Sequence, residues 1–140
     1  MVTPTLVRMS ETTASQTQIS LDVVALDCPD ARALAGFYAG LLDWEVVGES
    51  DDDWVTIVPP GSGEGDQGLA FQRIDDYVAP TWPGGSQPQQ FHLDLRVADL
   101  AAGERVVLAA GATRHEHQPS GSGGFVVYLD PAGHPFCLVS

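Results

Sequence analysis

Four histidines and two cysteines are the side chains of this sequence best suited to acid–base, nucleophilic or metal chemistry. His115 and His117 flank Glu116, and the alternation of a strand would place both imidazoles on one side. Such a pair can bind a metal or relay a proton, but exposed histidines at the end of a strand show the same spacing. His134 stands in the turn 131–135, where its main expected role is in the turn, with the alternative that it faces a pocket.

Both cysteines, Cys28 and Cys137, lie in apolar surroundings, which predicts reduced and mostly buried thiols. Two cysteines are too few for a disulfide framework in a chain that can build its own core. A buried thiol with no cation nearby stays protonated, so a nucleophile would require Cys137 to meet His92. With no basic region followed by an apolar stretch at the N-terminus, these features predict a cytoplasmic protein.

Two other motifs have plain structural interpretations. The spacing Gly63-x-Gly65-x-x-Gly68 matches a dinucleotide fingerprint, but it leads into GLAFQRI (68–74), an apolar run typical of a strand. Without a helix N-terminus to hold a phosphate, the motif predicts a hairpin loop. The run Asp51–Asp53 lacks the partner oxygens of a calcium loop, which favours a solvated turn.

Composition excludes several classes of function. The 140 residues carry a formal net charge of −13, and 44% of them are apolar, which is typical of one globular domain. So acidic a surface repels nucleic-acid phosphates and anionic membranes, and it attracts cationic ligands at long range. Apolar runs are too short for a membrane span, which needs about 20 residues.

The chain then divides into elements. Residues 1–18 show no useful period and predict a flexible leader. Apolar and turn patterns predict two helices, capped by Asp30 and Asp99, and a Pro/Gly-rich connector over 75–90. The predicted strands are 19–27, 44–48, 54–58, 68–74, 91–97, 112–117, 125–130 and 135–139, and the predicted helices are 31–42 and 100–110.

The order β-α-β-β-β therefore occurs twice. The two helix caps are 69 residues apart, and the segments 21–30 and 90–99 superpose at that offset without a gap. Each half has one apolar face that it cannot bury alone, so the halves must pair around a shared concave surface. The sequence predicts one domain over 19–140, made of a module at 19–74, the connector and a module at 91–140.

Three segments carry a resemblance to a known family: CPDARALAGFYAGLLDWEVV (28–47), FHLDLRVADLAAGERVVLAAGATRH (91–115) and DPAGHPFCLV (130–139). Together they resemble the glyoxalase-like branch of the glyoxalase, bleomycin-resistance and extradiol dioxygenase (vicinal oxygen chelate) superfamily. The resemblance covers about 19–140, which is nearly all of the chain after the predicted leader. It implies an α+β fold in which two tandem βαβββ modules form an open half-barrel sheet with a central cleft, and it implies a homodimer.

In catalytic members of this superfamily, each half supplies two ligands to one divalent metal. The resemblance places these positions on Val23, Gln72, His92 and Cys137. Valine cannot coordinate a metal, and the set offers one amide oxygen to a hard cation. Zinc could use His92 and Cys137, with Gln72 as a poor third ligand. We therefore expect no metal cofactor, with His92 and Gln72 as polar groups of the pocket and Cys137 as a small core residue.

The resemblance thus favours a protein that binds a small organic ligand, and the acidic charge disfavours nucleic-acid and membrane partners. The superfamily's drug-sequestering, bleomycin-resistance-like members are the reference for this hypothesis. The alternative is an enzyme (a lyase, isomerase or dioxygenase) with an altered metal site or with His92 as catalytic acid or base. A third possibility is an inactive relative kept as an interaction module. The predicted pocket residues are Gln72, His92, Trp54, Phe71, Tyr38, Trp82, Tyr128 and Cys137.

Overall fold

The computed structural model of the protein describes residues 17–48, 50–63, 65–121 and 123–140. Most of the predicted leader, 1–16, lies outside the described residues. The strands are β1 Val23–Cys28, β2 Glu45–Val47, β3 Trp54–Val58, β4 Gly68–Arg73, β5 Leu93–Arg96, β6 Thr113–Arg114, β7 Phe125–Leu129 and β8 Pro135–Val139, and the helices are α1 Ala31–Leu42 and α2 Leu100–Ala110.

The structure confirms both helices at their predicted bounds. Each begins where an aspartate accepts a hydrogen bond from the first turn: Asp30 Oδ1 from the Ala33 amide and Asp99 Oδ1 from the Ala101 amide, both at 3.0 Å. Helix α2 ends at Gly111, whose φ of +119° is a left-handed conformation that glycine adopts without strain. Local sequence alone specifies these boundaries.

Two four-stranded sheets, one for each half, form the architecture. Their strand orders are β1-β4-β3-β2 and β5-β8-β7-β6. In each sheet the first strand pairs in parallel with the last, and the other pairs are antiparallel. The duplication is therefore confirmed, and each sheet is open, with β1 and β2 at the edges of the first and β5 and β6 at the edges of the second. Several strands are shorter than expected. The largest differences are that β1 begins at Val23 instead of residue 19, β5 covers Leu93–Arg96 instead of 91–97, and β6 covers only Thr113–Arg114 instead of 112–117.

A single apolar core joins the two halves. Helix α1 of the first half places Phe37 against Phe136 of the second half, with ring centroids 5.9 Å apart. The next residue, Tyr38, stacks on Phe71 of the first half, with ring centroids 5.7 Å apart. Because α1 packs on both sheets, neither half buries its apolar face without the other. Both cysteines are free and buried. Among the described residues, no helix has the length and apolar character to cross a membrane.

Candidate functional site

On the second sheet, strand register brings His92 and Cys137 to one face. Asp94 and Cys137 are direct partners in the pairing of β5 with β8, so their side chains project to the same side. His92 lies two residues before Asp94, and its Nε2 is 3.1 Å from Asp94 Oδ1. One ligand atom from each of His92, Asp94 and Cys137 lies within 4.8 Å of the other two. The three side chains form a compact group of nitrogen, oxygen and sulfur donors.

The three side chains of this group differ in burial: Cys137 is buried, whereas His92 and Asp94 are exposed to solvent. Burial, together with the neighbouring Asp94 carboxylate, raises the pKa of the Cys137 thiol to about 11. By contrast, the His92 and Asp94 side chains are 42% and 54% exposed. At neutral pH the thiol is therefore protonated and inert as a nucleophile.

The first sheet presents the predicted residues Gln72 and Trp54 on its face away from α1. They are direct partners in the pairing of β3 with β4, whereas the neighbouring pair Val55 and Phe71 points into the core. Trp54 is 37% exposed, and its indole N–H donates to Thr56 Oγ1 at 3.0 Å. Val23 lies beside Trp54 and Thr56 in a shallow depression on this face. Of the two superfamily metal positions in this half, Gln72 offers an amide oxygen and Val23 offers no ligand.

The remaining predicted aromatic residues have different positions. Phe71 and Tyr128 have no exposed surface and pack in the core. Trp82, in the connector, lies edge-on to His115 and His117, with ring centroids 4.9 and 5.2 Å away. The two histidines therefore pack together against a tryptophan, beyond the end of the short strand β6.

A cavity of about 320 Å³ is lined by the edge strand β1, the start of the edge strand β5 and the connector. Its wall is mostly apolar, and it includes the predicted pocket residues His92 and Tyr38. Tyr38 is fully buried at its base. The other lining residues are Val24–Asp27 of β1, Tyr77, Val78, Pro80 and Gln87–Gln90 of the connector, and Phe91, Leu93, His134 and Pro135 of the second half.

A buried carboxylate organises one wall of this cavity. Asp130 accepts hydrogen bonds from the Tyr38 hydroxyl at 2.7 Å and from the amides of Ala132 and His134 at 2.9 and 3.0 Å. His134 Nδ1 lies 2.9 Å from Asp130 Oδ2, and His134 Nε2 lies 3.2 Å from the Tyr77 hydroxyl. Burial and the Asp130 charge raise the pKa values of both tyrosines, which stay neutral. Asp130 thus orients His134 toward the cavity while it also holds the turn.

Residues 23–139 match the family model of the glyoxalase-like domain. The chain belongs to the glyoxalase-like domain family. Solved structures of low sequence identity have the same fold. A possible glyoxalase from Bacillus cereus is 12% identical with a TM-score of 0.62, covering 88% of this chain and 100% of its own. A glyoxalase/bleomycin resistance protein/dioxygenase family enzyme from Burkholderia phytofirmans PsJN is 16% identical with a TM-score of 0.61, covering 86% and 97%.

The fosfomycin resistance protein FosX from Mesorhizobium loti is also similar, at 16% identity and a TM-score of 0.60, covering 88% of this chain and 92% of its own. At these identities the likeness establishes the fold of the glyoxalase-like domain and not its reaction. Among curated proteins, no sequence match reaches significance.

The metal that this superfamily implies can be tested against the donors present. His92, Asp94 and Cys137 offer the nitrogen, oxygen and sulfur ligands that suit zinc, whereas a hard cation requires more oxygens. All three belong to the second half of the glyoxalase-like domain. Zinc binding would also have to displace the proton of the Cys137 thiol. The residues therefore fit a three-ligand zinc site in one half, and not the four-ligand set of the superfamily.

Sequence reasoning missed several residues of these sites. Asp94 could have been found, because alternation places it on the same face as His92. Tyr77 and Gln89 carry no such signal, because both lie in a connector with no repeating pattern. The sequence predicts Asp130 only as the end of a strand, because its burial depends on Tyr38, which lies 92 residues away in the sequence.

Proposed function

We propose that this glyoxalase-like domain binds a small organic molecule in the cavity between its halves, without metal chemistry. The observation that carries the proposal is the cavity itself: about 320 Å³, mostly apolar, and lined by a few polar groups such as His92 and His134. That volume is at the lower end of the range of about 300–1,000 Å³ for ligand sites, and the mixed lining is typical of them.

The composition of the superfamily's metal positions supports the same conclusion. In the first half, these positions are Val23 and Gln72, which provide one weak ligand between them. Because Val23 cannot coordinate a metal, the first half retains its part of the cleft but loses one of the two ligands that would hold a metal from that side. The drug-sequestering members of the superfamily provide the analogy for such a binder.

The proposal includes a cytoplasmic homodimer. Two free cysteines, both buried, agree with a reducing compartment. The edge strands β1 and β5 expose backbone groups for pairing, and beside them Phe91 and Val78 are 88% and 62% exposed. Sedimentation equilibrium of the full chain would reveal a dimer as a doubled mass, and a monomer at all concentrations would refute this part.

Thermal unfolding in the presence of a panel of aromatic amines, alcohols and acids tests the binding function. A molecule that binds only the folded state raises the Tm, by an amount that grows with its concentration. We expect a rise that is reduced by Leu93→Phe, which fills the cavity, and unaffected by Val106→Phe on the exposed side of α2. Equal shifts in both variants would place binding elsewhere and refute the proposal.

The cluster of His92, Asp94 and Cys137 favours a second candidate function, a zinc-dependent enzyme of the superfamily. Bound zinc would polarise oxygens of a substrate, and His92, Asp94 and Cys137 would hold it. Elemental analysis after loading with zinc, manganese, nickel or iron separates the two functions. One equivalent of metal that is lost in His92→Ala would support the enzyme. No retained metal under any loading would support the binder.

A further inference from the structure

The buried Asp130 carboxylate and His134 form an oriented acid–base pair in the cavity wall. His134 Nδ1 lies 2.9 and 3.1 Å from the two carboxylate oxygens of Asp130, so this nitrogen carries the proton of the neutral ring. The His134 side chain is 18% exposed and lines the cavity, whereas the Asp130 side chain has no exposed surface. The carboxylate therefore lies behind the imidazole, and His134 Nε2 is the atom of the pair that can exchange a proton with a ligand.

The protons of this network leave His134 Nε2 as an available acceptor. Its neighbour at 3.2 Å is the Tyr77 hydroxyl, which has one proton and a closer acceptor in the Ala132 carbonyl oxygen at 2.9 Å. Burial and the Asp130 charge raise the pKa of Tyr77, so its hydroxyl can pass a proton on but does not itself ionise.

His92 also lines the cavity, but its carboxylate partner is solvated. His92 Nε2 is 3.1 Å from Asp94 Oδ1, and the two side chains are 42% and 54% exposed, so water weakens the effect of the carboxylate on the ring. At His134 the carboxylate is buried, and hydrogen bonds from the Tyr38 hydroxyl and the Ala132 amide hold it in place. A positive charge on the His134 ring is therefore stabilised by a carboxylate that water does not screen.

The charges around the cavity decide which molecules can use this pair. Among the described residues that line the cavity, none is lysine or arginine and Asp27 contributes a carboxylate, while the chain as a whole carries a net charge of −13. A ligand that is already anionic is therefore repelled and finds no permanent cation in this wall. A neutral molecule enters without that penalty, and its negative charge can form inside the cavity when its proton moves to His134.

We propose that Asp130 and His134 bind a neutral molecule with a weakly acidic hydroxyl group by taking its proton. The ligand O–H bond breaks, its electron pair stays on the oxygen, and a proton bonds to His134 Nε2, directly or through the Tyr77 hydroxyl. The resulting imidazolium lies between the ligand oxyanion and the Asp130 carboxylate. His134 is thus the proton acceptor and Asp130 a positioning residue. This inference rests on the binding function proposed above and specifies its ligand class.

Visible absorption of 4-nitrophenol, with 4-nitroanisole as its matched probe, tests this on the full chain. 4-Nitrophenol changes colour when it loses its proton, and its acidity is close to that of an imidazolium, whereas 4-nitroanisole has the same ring and no O–H. Calorimetry measures the binding of both probes. We expect the ionisation constant of bound 4-nitrophenol to rise about tenfold, so that its colour changes about one pH unit lower in the complex than in water, the effect of one hydrogen bond from a charged group.

Histidine variants identify the proton acceptor. His134→Gln removes the imidazole and should return the colour change to the midpoint of the free probe, while the affinity for 4-nitroanisole stays within about two-fold. Asp130→Asn keeps the shape and removes the charge, and it should reduce the shift, which a purely structural role of Asp130 would leave unchanged. His117 is exposed and lies outside the cavity wall, so His117→Gln is the matched control and should behave like the unaltered protein. Loss of the shift in His92→Gln, with the shift intact in His134→Gln, would refute the assignment.

The outcomes separate this inference from the binding function. If 4-nitrophenol binds to the unaltered protein but changes colour at the same pH as in water, the acid–base inference fails while the binding function stands. If neither probe binds at millimolar concentration, both proposals fail for this cavity. Because the comparison of the two probes requires no variant, the test holds even where His134→Gln or Asp130→Asn folds poorly.

Discussion

Two buried tyrosines provide a matched test of how Asp130 stabilises the fold. Tyr38 and Tyr128 are both fully buried, and each donates its hydroxyl to a carboxylate at 2.7 Å. They differ in the acceptor: the Asp130 side chain has no exposed surface, whereas the Glu104 side chain is 30% exposed. Water can therefore replace the lost hydroxyl at Glu104 but not at Asp130.

Removing the Tyr38 hydroxyl should therefore cost more. In Tyr38→Phe, Asp130 keeps the donors of Ala132 and His134 but loses one hydrogen bond to a buried charge, which costs about 1.5–3 kcal/mol. In Tyr128→Phe, Glu104 keeps its ion pair with Arg114 and gains water, so the loss should be about 0.5–1 kcal/mol.

Urea unfolding followed by far-ultraviolet circular dichroism measures both changes. The m-values should match that of the unaltered protein, so that a shift in the midpoint reports stability alone. A Tyr128→Phe loss equal to or larger than that of Tyr38→Phe would refute the reasoning, because acceptor burial would then not decide the cost.

Three further predictions concern the packing around two glycines, the pH dependence of stability, and a hydrogen bond between Gln118 and strand β7. In urea unfolding, Gly103→Ala should destabilise the protein by about 1–3 kcal/mol, because the added Cβ would lie 2.9 Å from Val97 Cγ2. Gly36→Ala should stabilise it by up to about 1 kcal/mol, because no atom lies within 4 Å of the added Cβ and alanine favours a helix over glycine. Burial raises the pKa values of Cys28 and Cys137 from 9.0 to about 11, so unfolded chains lose these protons first. The free energy of unfolding should therefore fall between pH 9 and 11, by up to about 1.4 kcal/mol per pH unit for each thiol. The fall should be less steep in Cys28→Ala, and an unchanged slope in that variant would contradict the prediction. Gln118→Ala should speed hydrogen exchange at the Val127 amide, which donates to Gln118 Oε1 at 2.9 Å, and unchanged exchange there would show that this bond does not protect the strand.

The sequence by itself determined the duplicated halves and the bounds of both helices. These features depend on neighbours a few residues apart: an aspartate cap, a glycine end and an apolar period. Asp30 and Asp99 could be paired at an offset of 69 residues because each acts on its own helix. Strand ends were less well predicted, since pairing across a sheet and not local pattern decides where β1 and β6 begin and end.

Only the tertiary structure decided which chemical groups meet. Phe71 and Trp54 stand on neighbouring strands of one sheet, and the register places one ring in the core and the other toward solvent. Asp94 joins Cys137 through strand pairing, and Tyr77 meets His134 across 57 residues of sequence. Such contacts depend on how two halves with the same local pattern pack together, and no local signal encodes that packing.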